Sequence, residues 1–149
     1  MMDKVILLVE DNASDIGLTQ RAFLKNGISN KLMIAEDGQE ALDYLFGAGA
    51  HAGRNMLEMP MLILLDLKLP RIEGLEVLRR LRADSRTRRI PVVILTSSSE
   101  EQDIAAGYDL GTNSYIRKPV DFHQFAEVIK QLGMYWLVTN QPPPNGPPK

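Results

Sequence analysis

The chain has 149 residues, 44% hydrophobic and 24% charged, with 17 basic side chains against 19 acidic ones and a net charge of −2. That length buries roughly two thirds of the unfolded surface in one domain without staples, and the absence of cysteine removes disulfides and thiolate chemistry and fits a reducing compartment. Near-balanced charge excludes a global field that would draw the molecule onto nucleic acid or membrane, and the apolar run in "MMDKVILLVE" is too short for a signal sequence or a span, so a cytoplasmic protein is expected.

The first apolar run, "VILLV" (5–9), is short and continuous, as in a strand buried on both faces. It runs into Glu10 and Asp11. Helical spacing follows over 13–26, with Ile16, Leu18, Ala22 and Phe23 on one stripe and Gly27 as the stop. "KLMIAED" (31–37) is a half-alternating strand candidate, and Ala41, Leu42, Leu45 and Phe46 mark a second helix before Gly47. "GAGAHAGRNMLEMP" (47–60) reads as a long loop, small and flexible in its first half. "MLILLD" (61–66) drives one carboxylate, Asp66, to the end of the most water-averse segment, and Lys68, Pro70 and Gly74 follow it. Leu75, Val77, Leu78 and Leu81 give a third helix; "VVILT" (92–96) ends on Thr96; a fainter helix lies near 100–107; the weaker strand "SYIRK" (114–118) ends on Lys118. "DFHQFAEVIKQLGMYWLV" opens on an acid suited to capping and repeats apolar residues at Phe122, Phe125, Ile129, Leu132 and Trp136. The remainder, "TNQPPPNGPPK", is low-complexity, and its prolines favour an extended, unpacked conformation.

Strand and helix alternating five times implies one doubly wound α/β domain, with parallel strands joined by right-handed crossovers and helices on both faces. In such sheets ligands sit beyond the carboxyl ends of the strands. Read at those ends, the chain delivers Glu10, Asp11, Asp66, Thr96 and Lys118 to one polar cluster. Three carboxylates drawn together repel strongly enough to raise a pKa or demand a cation. Mg²⁺ suits the set: Asp11 and Asp66 as direct ligands, Glu10 through water, and the main-chain carbonyl of Lys68. A carboxylate with a metal on one side and an ammonium and a hydroxyl on the other is equipped to attack phosphorus. Lys118 would neutralise charge on the transferring group and Thr96 would donate to a phosphoryl oxygen.

These residues resemble the receiver domain of two-component response regulators over essentially 4–138: the paired acids in "LLVEDN", Asp66 in "LLDLKLPRIEG", Thr96 in "VVILTSS" and Lys118–Pro119 in "SYIRKP", with Pro70 and Gly74 at their expected offsets. The resemblance implies a flavodoxin-like, CheY-like five-stranded parallel sheet of order 2-1-3-4-5, with a receiver domain at 1–138 and a proline-rich, disordered tail at 139–149. It implies phosphorylation of Asp66 by the phosphohistidine of a sensor kinase, a requirement for Mg²⁺, slow autodephosphorylation and a cis Lys118–Pro119 bond. "VEDNASDIGLTQRAF", "IPVVILTSSS", "NSYIRKP" and the closing "YWL" are similar to the single-domain regulators encoded beside bacterial and cyanobacterial phytochromes, which implies a phytochrome-type histidine kinase as partner. Thr96 and Tyr115 match the family's switch pair: phosphate on Asp66 draws the Thr96 hydroxyl and makes room for Tyr115 to turn inwards.

With too few residues after Val138 for a DNA-binding unit, the output is expected to be a contact. The run Met134 to Val138 exceeds what one buried stripe consumes, which points to a homodimer through helix 4, strand 5 and helix 5. Lys68 and Ser98 are expected to influence the phosphoryl lifetime. The weighed alternatives are a magnesium-dependent phosphohydrolase using Asp66 as nucleophile, disfavoured because Lys68 stands where such enzymes carry a second acid, and a flavodoxin-like carrier, disfavoured because no Ser, Thr and Gly loop follows the first strand. Arg79, Arg80, Arg82, Arg86, Arg88 and Arg89 read as a solvated face, and His51 and His123 as surface residues.

Overall fold

The structure, a computed structural model, describes residues 4–144. Five strands, β1 (Ile6–Val9), β2 (Leu32–Ala35), β3 (Leu62–Leu65), β4 (Val92–Thr96) and β5 (Ser114–Arg117), alternate with five helices, α1 (Ala13–Lys25), α2 (Gly38–Phe46), α3 (Gly74–Ala83), α4 (Glu101–Asp109) and α5 (Phe122–Leu132). The sheet is parallel with order β2-β1-β3-β4-β5, as the doubly wound reading and the resemblance imply.

Every residue of β1, β3 and β4 is buried, because central strands take helices on both faces and so read as unbroken apolar runs. Leu7, Val9, Ile63, Leu65 and Ile94 face the side closed by Leu42, Leu45, Val77, Leu78 and Leu81. Ile6, Leu8, Leu62, Leu64 and Val93 face the other, against Ala22, Phe23, Phe125 and Ile129. The edge strands β2 and β5 are only partly buried, which is why their sequences are more mixed. Side chains cap three helices: Asn12 accepts from the Asp15 N–H at 3.0 Å, Asp37 from the Glu40 N–H at 2.7 Å, and Asp121 from the His123 N–H.

Register decides what the carboxyl edge of the sheet presents. Val9 pairs with Leu65, Leu65 with Ile94, and Thr96 with Arg117, so Glu10, Asp66 and Lys118, each the next residue after its strand, emerge on one edge. Their backbones extend the ladder: the Asp66 N–H donates to the Val9 carbonyl at 3.1 Å, and the Lys118 N–H to the Thr96 carbonyl at 2.7 Å.

Two regions depart from the sequence reading. The last helix does not run evenly to Val138: α5 ends at Leu132 and Gly133–Thr139 continues as a π-helical segment. It packs Trp136 and Leu137 on the core and leaves Met134, Tyr135 and Val138 exposed. The 47–60 loop is organised by a 3-10 turn at Gly49–His51 and by Arg54, whose guanidinium stacks 4.3 Å from the Tyr44 ring centroid. His51 is not a free surface residue; it is half-buried, its ring edge-on to Tyr44 with centroids 5.2 Å apart. His123 is exposed, as expected. Of the proline-rich tail, Pro142, Pro143 and Pro144 line a small cleft with Lys4, Met61, Arg86 and Ile90, while the part of that expectation that falls on 145–149 lies outside the described residues. Among the described residues no helix is long and apolar enough to cross a membrane.

Candidate functional site

At the carboxyl edge Glu10 and Asp66 are buried, 2% and 8% exposed, while Asp11 is exposed. One carboxylate oxygen from each of the three lies within 4.8 Å of the others. The two buried acids are aimed by backbone: Glu10 Oε2 accepts from the Asn12 N–H at 3.2 Å, and Asp66 Oδ1 from the Leu67 N–H at 2.7 Å.

Lys118 closes the cluster. Its ammonium donates to Glu10 Oε1, to Asp15 Oδ2 at 2.9 Å and to Asp66 Oδ2 at 3.1 Å, so all three of its protons lie on carboxylates. Burial alone would push the Lys118 pKa down, but the hydrogen bonds to Glu10 and Asp15 and the charge on Asp66 hold it above its ordinary value. Glu10 moves the other way: burial, with the neighbouring Asp66 charge, raises it to about 7 against the pull of Lys118. One ammonium does not neutralise four nearby acids, and a donor set of hard carboxylate oxygens suits a hard divalent cation. No histidine or cysteine joins the cluster.

The loop after β3 is held by the glycines that open α2 and α3. A Cβ on Gly74 would lie 2.2 Å from the Asp66 carbonyl oxygen, and one on Gly38 would lie 2.0 Å from that of Ile72. Buried Leu67 and Leu69 pin the segment from inside, and the side chain of Lys68 between them is exposed, so any part Lys68 plays as a ligand falls to its main chain. Arg71 takes a left-handed φ of 69°, a conformation costing a non-glycine residue roughly 1 kcal/mol.

Thr96 is fully buried and its Oγ1 accepts from the Ser98 N–H at 3.4 Å. Ser98 in turn donates its hydroxyl to Asp103 at 2.6 Å, and Tyr115 donates its hydroxyl to the Ser98 carbonyl at 2.9 Å. Burial raises the Tyr115 pKa. The structure thus brings Glu10, Asp11, Asp66 and Lys118 together and puts Thr96 and Tyr115 in one hydrogen-bonded group on the neighbouring strands.

The Lys118–Pro119 bond is not cis: among the described residues every peptide is trans. Trans is the lower-energy form of an X–Pro bond by about 0.5–1 kcal/mol, and the bond from the Lys118 N–H to Thr96 already carries that side chain to the acids. Asp15 is the participant the sequence reading missed. It is the third residue of α1 after the Asn12 cap, where an acid is accounted for by the positive end of the helix, and only the fold shows its second partner.

Comparison with known proteins gives a consistent neighbourhood. A model of the response regulator receiver domain matches residues 6–130. The "Probable methanogenesis regulatory protein FilR2" of Methanothrix harundinacea is 39% identical over 93% of this chain and 87% of its own length. Response regulator Rcp1 of Synechocystis is 38% identical over 91% of this chain and 90% of its own. Among solved structures, the phosphorylated cyanobacterial phytochrome response regulator RcpA superposes with a TM-score of 0.88 at 40% identity, covering 95% of this chain and 99% of that one. The Mn²⁺-bound form of Rcp1 gives 0.86 at 37% identity over 95% and 99%, and the bacteriophytochrome response regulator RtBRR gives 0.77 at 49% identity over 96% and 86%.

Proposed function

The chain belongs to the response regulator receiver family, and on that premise we propose that Asp66 is its phosphoacceptor. Phosphoacceptor signalling is the business of the family; the assignment of roles rests on the site. The observation that carries it is the convergence of Glu10, Asp11 and Asp66 around the Lys118 ammonium at one strand edge. An Asp66 oxygen attacks the phosphorus of a phosphohistidine whose other ring nitrogen is protonated, the P–N bond breaks, and its electron pair returns to the ring, which leaves as neutral imidazole. Lys118 offsets the negative charge brought in, and the buried Thr96 hydroxyl, whose proton is not committed to Ser98, donates to a phosphoryl oxygen.

Glu10, Asp11 and Asp66, with the main-chain carbonyl of Lys68, would hold Mg²⁺, which supplies charge neutralisation on the transferring group. Thr96 and Tyr115 pass the event to the α4–β5–α5 face, and exposed Met134 and Tyr135 extend an apolar surface suited to a homodimer there. The donor is a sensor histidine kinase of the phytochrome type, a reading supported by the likeness to Rcp1, RcpA and RtBRR.

The test is mass spectrometry after incubation with Mg²⁺ and acetyl phosphate. The wild type gains one phosphoryl group and Asp66→Asn gains none; uptake by the Asn variant overturns the assignment. Continuous release of phosphate far beyond one equivalent would instead favour the phosphohydrolase reading.

A further inference from the structure

Lys118 has three protons to give and three carboxylates take them. A phosphoryl group arriving on Asp66 adds acceptor oxygens beside the same ammonium, so one existing bond must yield. The three acids are unequal in what abandonment costs. Glu10 has a side chain 3% exposed, and moving the ammonium off it would strip a buried group of a partner that water cannot replace. Asp66 carries the new group and stays adjacent. Asp15 is 29% exposed at its side chain and stands in the first turn of α1, three residues after the Asn12 cap, where water and the unpaired N–H groups of the helix start stabilise a carboxylate without help.

We propose that Asp15 is a positioning residue that restrains Lys118 in the unphosphorylated protein, and that phosphorylation of Asp66 proceeds with transfer of the ammonium from Asp15 to the phosphoryl group. The inference rests on the reading of Asp66 as phosphoacceptor. Asp15 touches neither metal nor phosphoryl group in this scheme; it acts only through Lys118. Its effect is a brake: the bond that must break is made in the unmodified state and absent from the modified one, so it raises the barrier to uptake and weakens binding of any phosphoryl mimic. Among the described residues Lys118 is the one side chain that bonds the Asp15 carboxylate. Its main chain caps and bonds as before in any variant, the N–H to Asn12 and the carbonyl to Thr19.

The experiment compares wild type, Asp15→Asn, Asp15→Ala and Asp15→Glu in two assays with Mg²⁺ present: affinity for beryllofluoride, followed by the ¹⁹F signal of the bound species, and the rate of labelling by acetyl phosphate. Asp15→Asn and Asp15→Ala are expected to bind beryllofluoride about three- to tenfold more tightly and to label faster by a similar factor, as befits one lost charge-assisted hydrogen bond. Asp15→Glu, which keeps the charge, is expected to return towards wild type, which a purely structural role in the helix would not produce. Unchanged or weakened beryllofluoride binding in both Asn and Ala variants, with their helical content and melting intact, overturns the proposal. Failure of the wild type to take either reagent would strike the phosphoacceptor reading itself, a separate outcome that removes this inference with it.

Discussion

Gly74 opens α3 directly against the main chain of Asp66: a Cβ at position 74 would lie 2.2 Å from the Asp66 carbonyl oxygen and 2.7 Å from the Leu67 Cα. Both obstacles are backbone, so neither can swing aside. The Gly74 N–H also donates to the Leu67 carbonyl at 2.9 Å. Gly74→Ala should therefore push the segment bearing Asp66 outwards, costing about 2–3 kcal/mol in the way of an overpacked core and lowering the rate of phosphoryl uptake at the same time. Urea melts and acetyl phosphate labelling of the one variant check both halves; an Ala variant with wild-type stability would mean the loop relaxes freely.

The Glu10 carboxyl gives a pH dependence whose sign can be worked out. Its ordinary value is 4.5 and in the folded, metal-free protein it rises to about 7. Between those limits the folded state holds more protons than the unfolded one, so stability is greatest at the acid end of the window and falls as pH rises through it, by at most about 1.4 kcal/mol per unit. Urea midpoints in EDTA should drop from about pH 5 to about pH 7 on this account, and Glu10→Gln should flatten the slope. A divalent cation competes with the proton, so its affinity should weaken below about pH 7, which titration calorimetry at several pH values reads directly. A midpoint that rises over this window in the wild type, and equally in the Gln variant, would remove Glu10 as the titrating group.

How far the sequence disclosed all this follows from where the free energy lies. β1, β3 and β4 stood out because both of their faces are buried, and the strand-end acids stood out because polar groups at the end of such runs have a reason to be there. α4 was faint because Gly107 is its one buried residue. Asp15 was invisible as a partner of Lys118 because 103 residues separate them and a first-turn acid already has a local reason to exist. The π-helical turn at Gly133–Thr139 leaves an apolar pattern close to that of an α-helix, so periodicity alone read straight through it. His51 looked like a surface residue until Tyr44, seven positions earlier on α2, was seen to hold its ring.

Arg54 holds the 47–60 loop through a planar fork. Its Nε donates to the Tyr44 carbonyl at 2.7 Å and its Nη1 to the Glu58 carbonyl at 2.8 Å, while the guanidinium lies over the Tyr44 ring. A lysine offers one ammonium with no fork and no stacking plane. Arg54→Lys should cost the loop about 2 kcal/mol, seen as roughly thirtyfold faster exchange of the Ala48, His51 and Ala52 amides, which the loop's turns now bond. Phosphoryl uptake at the opposite end of the sheet should not change. Equal exchange rates in the two proteins would show that the turns hold themselves.

Tyr115 donates its hydroxyl to the Ser98 carbonyl, and Ser98 is bonded through its N–H to Thr96 Oγ1 and through its hydroxyl to Asp103 in the first turn of α4. Four residues from β4, the following loop, α4 and β5 thus share one small network, and a phosphoryl group that engages the Thr96 hydroxyl would strain it from one end. Tyr115→Phe removes the last bond and leaves the ring, at a cost to stability of about 1 kcal/mol. Since the Tyr115 hydroxyl touches neither Asp66 nor Lys118, labelling by acetyl phosphate should stay within about twofold of wild type, an energetic change below 0.5 kcal/mol or so. What should shrink is the response: the difference in amide exchange over residues 97–104 with and without beryllofluoride, large in the wild type, is expected to fall to a minor fraction in the Phe variant. If the two proteins show the same difference, the hydroxyl of Tyr115 is a packing detail and the signal leaves Thr96 by another path.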